Sequence, residues 1–267
     1  MKGADPKVMI LTVFAICLAA SVIGGICGIG GGVVIKPVLD VMNVASVSTV
    51  SFLSGLTVLS MAVVNVYKSR KSGSLDAKRS VPLGIGAAVG GICGKQLFML
   101  IKHAAGNDRL VGAVQAVTLG LLVLGTLLYV LNKSHIKTWN LQKPFVGVGI
   151  GLVLGICSSF LGIGGGPMNL AVLYYFYSME TKQAAINSIL VILISQTASL
   201  LLTLITASVP EFDILMLAAM VGAGITGGLI SSKLHKMLSA RVTDRLFIGL
   251  LTVILLICVY NTVNCLA

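Results

Sequence analysis

Uncharged, mostly apolar runs alternate with short polar segments along the whole chain. Most runs are about 20 residues long, the length that an α-helix needs to cross a bilayer. Transmembrane β-strands would instead give segments of about ten residues with alternating hydrophobicity. The pattern therefore predicts an all-α integral membrane protein with helices at residues 9–25, 33–42, 45–67, 82–101, 110–131, 145–159, 167–177, 184–206, 214–232 and 246–263.

The shortest runs flank a five-residue sequence that occurs twice, because residues 28–32 and 162–166 both read GIGGG. Glycine costs roughly 1 kcal/mol relative to alanine in a helix interior, so each copy predicts a helix break. A break at bilayer depth is tolerated only where the freed backbone groups line a protein-enclosed or watery cavity. Paired breaks in corresponding halves of a chain point to the binding site of a transporter.

Other positions repeat in the same order as the two breaks, which are 134 residues apart. Ser51 matches Ser188 and Asp76 matches Asp213, both at an offset of 137 residues. Residues 108–110 and 244–246 both read DRL, at an offset of 136. The chain is therefore interpreted as two repeats, at residues 1–131 and 145–267, which form one transport domain and are joined by a cytoplasmic linker at residues 132–144.

Each glycine segment can cross the membrane in one of two ways. Residues 144–179 carry no charge, and as one straight helix they would extend about 54 Å, well beyond the hydrocarbon core of about 30 Å. The segment is either a single bent crossing or a re-entrant hairpin that turns at the glycines.

Basic residues favour the hairpin, which gives six full spans, two inverted repeats and both termini outside. One side then holds thirteen basic residues: Lys68, Arg70, Lys71, Lys78, Arg79, Lys133, Lys137, Lys143, Lys182, Lys233, Lys236, Arg241 and Arg245. The other side holds five: Lys2, Lys7, Lys36, Lys102 and Arg109. Eight simple crossings would split the same residues ten to eight, a poorer fit to the positive-inside rule.

Composition supports this class of protein. The chain has 267 residues, of which 57% are hydrophobic and 10% charged, with a mean hydropathy of +1.03. The net charge of +11 comes from loop residues rather than from a basic domain, so nucleic-acid binding is excluded. The six cysteines include no CxxC pair and are interpreted as small buried hydrophobes. The three histidines are expected in loops, so neither a metal site nor a cofactor is predicted.

The half-helix after each break would present unpaired N–H groups and the positive end of its dipole, which together favour an anion. Proline at the first turn of the second half-helix fits such a start. The expected substrate-binding residues are Gly30, Gly31, Gly32, Val33, Ser51, Gly164, Gly165, Gly166, Pro167, Asn187 and Ser188. A second group of candidates comprises Cys27, Lys36, Thr49, Asn169 and Gln196. For the serines and threonines the alternative is a bond to a preceding carbonyl of the same helix. For Lys36 it is snorkelling to the interface, which is also expected of Lys95.

With these motifs, the sequence resembles the TauE/SafE family, which comprises the sulfite exporter and related permeases. The resemblance rests on the duplicated GIGGG motif, on Pro37 after the first copy, on the serine-containing helices that follow, and on the chain length. Ala171 replaces the proline that would match Pro37 in the second repeat. The resemblance implies transport of a small sulfur-containing anion such as sulfite or a sulfonate.

A secondary transporter in the plasma membrane is therefore the leading hypothesis. The expected partners are a small anion, the lipid bilayer and a coupling ion, either a proton or sodium; a homodimer is left open. A permease for another small anion, such as a carboxylate, is the nearest alternative. A membrane-embedded enzyme would need a nucleophile or an acid/base pair at depth, and a scaffold would bind no ligand, so both rank lower.

Overall fold

The computed structural model describes residues 6–42, 44–70, 73, 75–105, 108–133, 135–161 and 165–266, so the expected binding residue Gly164 lies outside it. Within the described residues the chain forms α-helices and no β-strand. The helices are α1 (Pro6–Cys27), α2 (Gly32–Val41), α3 (Val47–Ser69), α4 (Ala77–Ala105), α5 (Asp108–Asn132), α6 (Pro144–Leu161), α7 (Gly166–Tyr177), α8 (Thr181–Ile205), α9 (Ile214–Met237) and α10 (Ala240–Leu266). The all-α prediction is confirmed.

Several helices begin where a polar side chain can cap the first turn. The Ser46 hydroxyl accepts a hydrogen bond from the Thr49 N–H at the start of α3. Asp213 accepts from the Leu215 N–H before α9, and Asp76 accepts from the Arg79 N–H before α4. Asp76 and Asp213 therefore do the same work in the two halves, because each satisfies an N–H group that has no intrahelical acceptor.

By length and composition, five helical segments within the described residues can cross a membrane: Lys7–Cys27, Ser48–Ser69, Thr181–Ile205, Ile214–Met237 and Ala240–Val259. Two further apolar stretches, Val117–Asn132 and Pro144–Ser159, are shorter. The first helix, α1, has 22 residues and is about 33 Å long. It begins three residues before the predicted run of residues 9–25 and ends two residues after it, at Cys27.

The two halves pack against each other in a reciprocal way. The first helix of the first half, α1, packs against α9, and its counterpart α6 packs against α4, the counterpart of α9. In the same way α3 contacts α9 while α8 contacts α4, and α5 contacts its counterpart α10. The most extensive contacts between helices therefore join one half of the chain to the other.

Glycines bring α4 and α6 backbone to backbone. A Cβ atom on Gly86, Gly90 or Gly94 of α4 would collide with backbone atoms of α6, and one on Gly151 or Gly155 of α6 would collide with backbone atoms of α4. The four-residue spacing puts these glycines on one face of each helix, as in the small-residue interfaces of membrane helices.

Polar contacts tie the loops together at two places in the bundle. In one, the Arg79 guanidinium donates to the Tyr177 carbonyl (3.3 Å) and to Asn140 Oδ1 (3.2 Å). In the other, the Thr49 hydroxyl donates to the Glu211 carbonyl (2.9 Å). The first turn of α4 thus meets the linker before α6 and the end of α7, whereas the first turn of α3 meets the loop before α9.

Candidate functional site

The first break begins with a left-handed turn at the end of α1. Gly28 has φ +78° and Gly30 has φ +76°, values that glycine adopts at little cost. The N–H groups of Ile29 and Gly30 both donate to the Gly24 carbonyl, at 3.0 and 3.3 Å. This arrangement resembles a Schellman cap, which satisfies one of the carbonyls left open at a helix C-terminus.

The chain then turns directly into α2, whose first residue is Gly32. The Gly31 carbonyl accepts hydrogen bonds from the Val34 and Ile35 N–H groups, at 3.0 and 2.9 Å. The preceding N–H groups, from Gly31 to Val33, have no acceptor within the helix because of their position in its first turn. Their dipoles add to the positive end of α2, where an anion is stabilised.

The second break is described from Gly165 onward, and it differs from the first break at this residue, because the counterpart Gly31 has φ −63°. Gly165 precedes α7 in the left-handed conformation, with φ +77°, and Pro167 lies in the first turn. The Asn169 N–H donates to the Gly165 carbonyl at 2.9 Å. A cavity of about 10 Å³ lies beside Gly165, bordered by Ser158 and Pro167, which is room for about one water molecule.

The two breaks touch each other. A Cβ atom on Gly166 would collide with the carbonyl oxygen of Ile29, so the start of α7 packs against the first break. On its other side, Gly28 packs closely against the backbone of Ala185 in α8, where a Cβ atom would also collide. The first break is therefore enclosed between α7 and α8, and both glycine sequences contribute backbone to one place in the protein.

Ser188 lies one turn after Ala185 and is fully buried. Among the described residues its hydroxyl has no hydrogen-bond partner, and the back-bond to a preceding carbonyl of α8 is not formed. A buried polar group without a partner costs about 1–3 kcal/mol, which makes Ser188 a candidate ligand residue. Ser51, its counterpart in the first repeat, is exposed, so the two serines are not equivalent in their surroundings.

Asn187 is also fully buried, but its amide is occupied. Its Oδ1 accepts hydrogen bonds from the Asp76 N–H at 2.9 Å and the Ser80 hydroxyl at 2.8 Å, and its Nδ2 donates to the Gln183 carbonyl. These bonds attach α8 to the start of α4. In the structure Asn187 therefore connects the halves and holds the helix that carries Ser188.

The remaining candidates differ in burial and in the groups that they contact. Thr49 is buried and hydrogen-bonded to the Glu211 carbonyl, Asn169 and Cys27 are buried beside the breaks, and the Gln196 amide faces Gly55 of α3. Lys36 is partly buried and lies one helical turn before Asp40, the spacing of an ion pair along a helix. Lys95 is exposed, as expected of a lysine that reaches the interface.

Sequence reasoning missed several buried polar groups, of which three lie near the breaks or in α9. Ser21 of α1 is fully buried without a partner for its hydroxyl, and its backbone N borders Gly31. Asp40 has a buried Oδ1 without a hydrogen bond. His235 was expected in a loop, but it lies buried in the last turn of α9, because that helix continues past Ser232 to Met237. Periodic spacing gave no signal for any of them.

The cysteines follow the expectation only in part. Cys17, Cys27 and Cys258 are buried, whereas Cys157 is partly buried and Cys93 is exposed. Within the part of the chain that the structure describes, no group of three or more His, Cys, Asp or Glu residues lies close enough to hold a metal ion.

Comparison with known proteins identifies the family. The family model described as sulfite exporter TauE/SafE matches residues 13–257, which include both breaks and every helix except the ends of α1 and α10. No curated protein and no solved structure gives a significant match. The match covers nearly all of the chain, and its helices have the length and composition of a multi-pass membrane protein. The chain belongs to the sulfite exporter TauE/SafE family of membrane transporters.

Proposed function

We propose that the protein is a secondary transporter that moves a small sulfur-containing anion, such as sulfite or a sulfonate, by alternating access about the two glycine breaks. The observation that carries this proposal is the direct contact between Gly166 and the Ile29 carbonyl. Two chain breaks that meet inside a bundle supply main-chain donors and helix dipoles from both halves, which is how broken helices bind ions in transporters.

The proposed binding site is the junction of the breaks. The N–H groups that precede α2 and α7 would bind the anion's oxygen atoms, and glycine lets the backbone approach without a side chain in between. The set consists of Gly30, Gly31, Gly32, Val33, Gly164, Gly165, Gly166 and Pro167, with Ser188 as the side-chain donor. Asn187 would position α8, while Ser51, Cys27, Lys36, Thr49, Asn169 and Gln196 rank below these residues.

The junction is closely packed in this conformation, since the cavity beside Gly165 has a volume of only about 10 Å³. An anion with several heavy atoms needs more room than one water molecule. The breaks must therefore separate for the anion to bind, and movement of one half against the other would do so. Such rocking of repeats about a fixed site is the usual form of alternating access.

An inverted arrangement of the repeats is part of the proposal. It is supported by the reciprocal packing of the two halves and by the polar contacts that join the first turns of α3 and α4 to the second half. In this arrangement α1 and α2 form one re-entrant hairpin and α6 and α7 form the other. The side with more basic residues would be cytoplasmic, in a plasma membrane, with a proton or sodium gradient as the source of energy.

Uptake into proteoliposomes tests the proposed function. Labelled sulfite is supplied with unlabelled sulfonate, thiosulfate, sulfate and carboxylate as competitors, with and without a pH gradient. We expect saturable uptake that sulfur anions inhibit and carboxylates do not. Uptake inhibited only by carboxylates would assign the protein to another anion, and chemically altered substrate would point to an enzyme.

A further inference from the structure

A polar cavity of about 260 Å³ lies between α1, α3, α8 and α9, separate from the junction of the breaks. This volume is far larger than that needed for one water molecule, and it is enough for a small oxyanion and some of its water. Gly25, three residues before the first break, is part of its wall, together with Asn65 of α3 and Ser232 of α9. The cavity therefore borders the end of α1.

The hydrogen bonds of His235 determine which groups this cavity can bind. Its side chain is 94% buried, since only 6% is exposed, and its Nδ1 lies 3.1 Å from the Ile26 carbonyl oxygen. That carbonyl belongs to the last turn of α1, where it has no intrahelical donor because the helix ends at Cys27. A carbonyl oxygen can only accept, so Nδ1 must carry the hydrogen whether the ring is neutral or charged.

Because Nδ1 keeps its hydrogen, Nε2 is the ring nitrogen that gains or loses a proton when His235 titrates. In neutral His235 it holds a lone pair and can only accept a hydrogen bond; in the charged ring it carries a hydrogen and donates. Nε2 is buried and makes no hydrogen bond of standard geometry among the described residues, and the Lys182 backbone lies beside the ring. It is an unsatisfied polar atom in the wall of a cavity that also includes Asn65, Ser232 and Lys182.

The charged groups around His235 are both positive. Lys182 faces it from α8 and Lys236 from α9, and the Lys182 ammonium lies 3.5 Å from the Lys236 carbonyl oxygen. The wall residues contributed by α1 and α3, which include Gly25 and Asn65, are uncharged. The described wall includes no carboxylate, so the field in the cavity favours an anion.

We propose that this cavity is a second anion site, which binds a small oxyanion together with one proton on Nε2 of His235. The neutral ring repels the anion with its lone pair, whereas the protonated ring donates a charge-assisted hydrogen bond to an anion oxygen. Anion and proton therefore bind together, and the apparent affinity falls about tenfold per pH unit where the free site is neutral.

The second site extends the proposed function and rests on it in one respect, namely that the anion bound here is the transported one. Its place supports that connection, because the residue that binds the anion also holds the Ile26 carbonyl, two residues before Gly28. An anion at His235 would thus lie beside the segment that must move when the first break opens.

Equilibrium binding of radiolabelled sulfate to the full chain in lipid nanodiscs tests the proposal. Sulfate is the probe because its charge is constant between about pH 5 and 8, the range in which histidine titrates. We expect wild-type affinity to fall about tenfold per pH unit in the upper part of this range. His235→Gln should bind as weakly at acidic pH as the wild type does at alkaline pH, without pH dependence.

Two further variants make the result specific. His135→Gln changes a histidine that is exposed outside the cavity, and it should bind sulfate like the wild type. Lys182→Met removes a positive charge without touching the Ile26 contact, and it should weaken binding at every pH while the pH dependence stays. A pH dependence that persists unchanged in His235→Gln would overturn the proposal, as would wild-type protein that binds no sulfate at acidic pH.

The experiment also separates this site from the junction of the breaks. Gly165→Val alters the second break, so it should stop sulfite flux and leave sulfate binding at His235 intact. Normal wild-type flux without sulfate binding would remove only the second site. Sulfate binding with the expected pH dependence but without flux of any anion would remove only the proposed transport function.

Discussion

The carbonyl oxygen of Ile29 lies where a Cβ atom on Gly166 would be, so glycine is required at the point where the two chain breaks meet. The start of α7 therefore packs directly against the first break. Because one belongs to the first half and one to the second, this contact connects the halves at the place where both present free main-chain donors.

Gly166→Ala should disrupt this contact. The added methyl group meets backbone atoms, which cannot rotate away, so we expect a loss of about 1–3 kcal/mol of stability, as for other overpacked sites. Thermal unfolding in detergent measures it. Gly149→Ala is the matched control, because Gly149 lies in α6 with open space around it, and alanine there should be neutral or stabilising by roughly 0.5–1 kcal/mol. Equal melting temperatures for the two variants would contradict the contact.

Gly28→Ala should introduce both backbone strain and steric overlap, and Gly73→Ala measures the strain alone. Gly28 has φ +78° and packs against the Ala185 backbone, whereas Gly73 has φ +66° and nothing within 4 Å. Gly73→Ala should therefore cost only the left-handed strain, about 1–2 kcal/mol. We expect Gly28→Ala to be clearly less stable than Gly73→Ala in thermal unfolding, since steric overlap is added. A smaller cost at Gly28 would mean that α8 does not enclose the break.

Ser188→Ala should separate binding from stability. The Ser188 hydroxyl is buried without a partner, so its removal relieves an unsatisfied group and the melting temperature should stay the same or rise. Sulfite affinity should fall, since the proposed side-chain donor is lost. Ser231→Ala is the comparison, because the Ser231 hydroxyl bonds to Asn65 at 3.1–3.2 Å and its loss should lower the melting temperature. Unchanged sulfite affinity in Ser188→Ala would remove Ser188 from the site.

The inverted arrangement predicts the sides on which two equivalent loops lie. Single cysteines at Gly73, after α3, and at Ser208, after α8, are placed in a chain whose native cysteines are replaced by alanine. A membrane-impermeant thiol reagent applied to intact cells should label only Ser208→Cys, and Gly73→Cys should need permeabilised cells. Labelling of both from the same side would support two parallel repeats of simple crossings.

The helices could be predicted because their boundaries depend on residues that lie close to them in the sequence. Charged residues or glycines delimit each apolar run, and Pro167 marks the start of α7, one residue after its observed beginning at Gly166. The α4 helix starts at Ala77 rather than at residue 82, so that Pro82 lies in its second turn. It starts early because Asp76 caps it by accepting a hydrogen bond from the Arg79 N–H.

Contacts between the halves could not be predicted in the same way. Hydropathy and spacing place both breaks at depth, but they carry no signal that Ile29 meets Gly166 or that Asn187 binds the start of α4. His235 was missed because Lys233 and Lys236 flank it, which is typical of a loop, while α9 continues to Met237 and turns the histidine inward. Each of these features depends on a partner more than 100 residues away in the chain.

The anion is proposed to pass through the two glycine breaks, and sulfite flux should therefore depend on both of them. Gly31 and Gly165 are each replaced by valine, with Gly149→Val as the control in open space, and uptake into proteoliposomes is compared at matched amounts of folded protein. We predict that the two break variants give no uptake above empty liposomes and that the control keeps normal flux. Normal flux in both break variants would contradict the account.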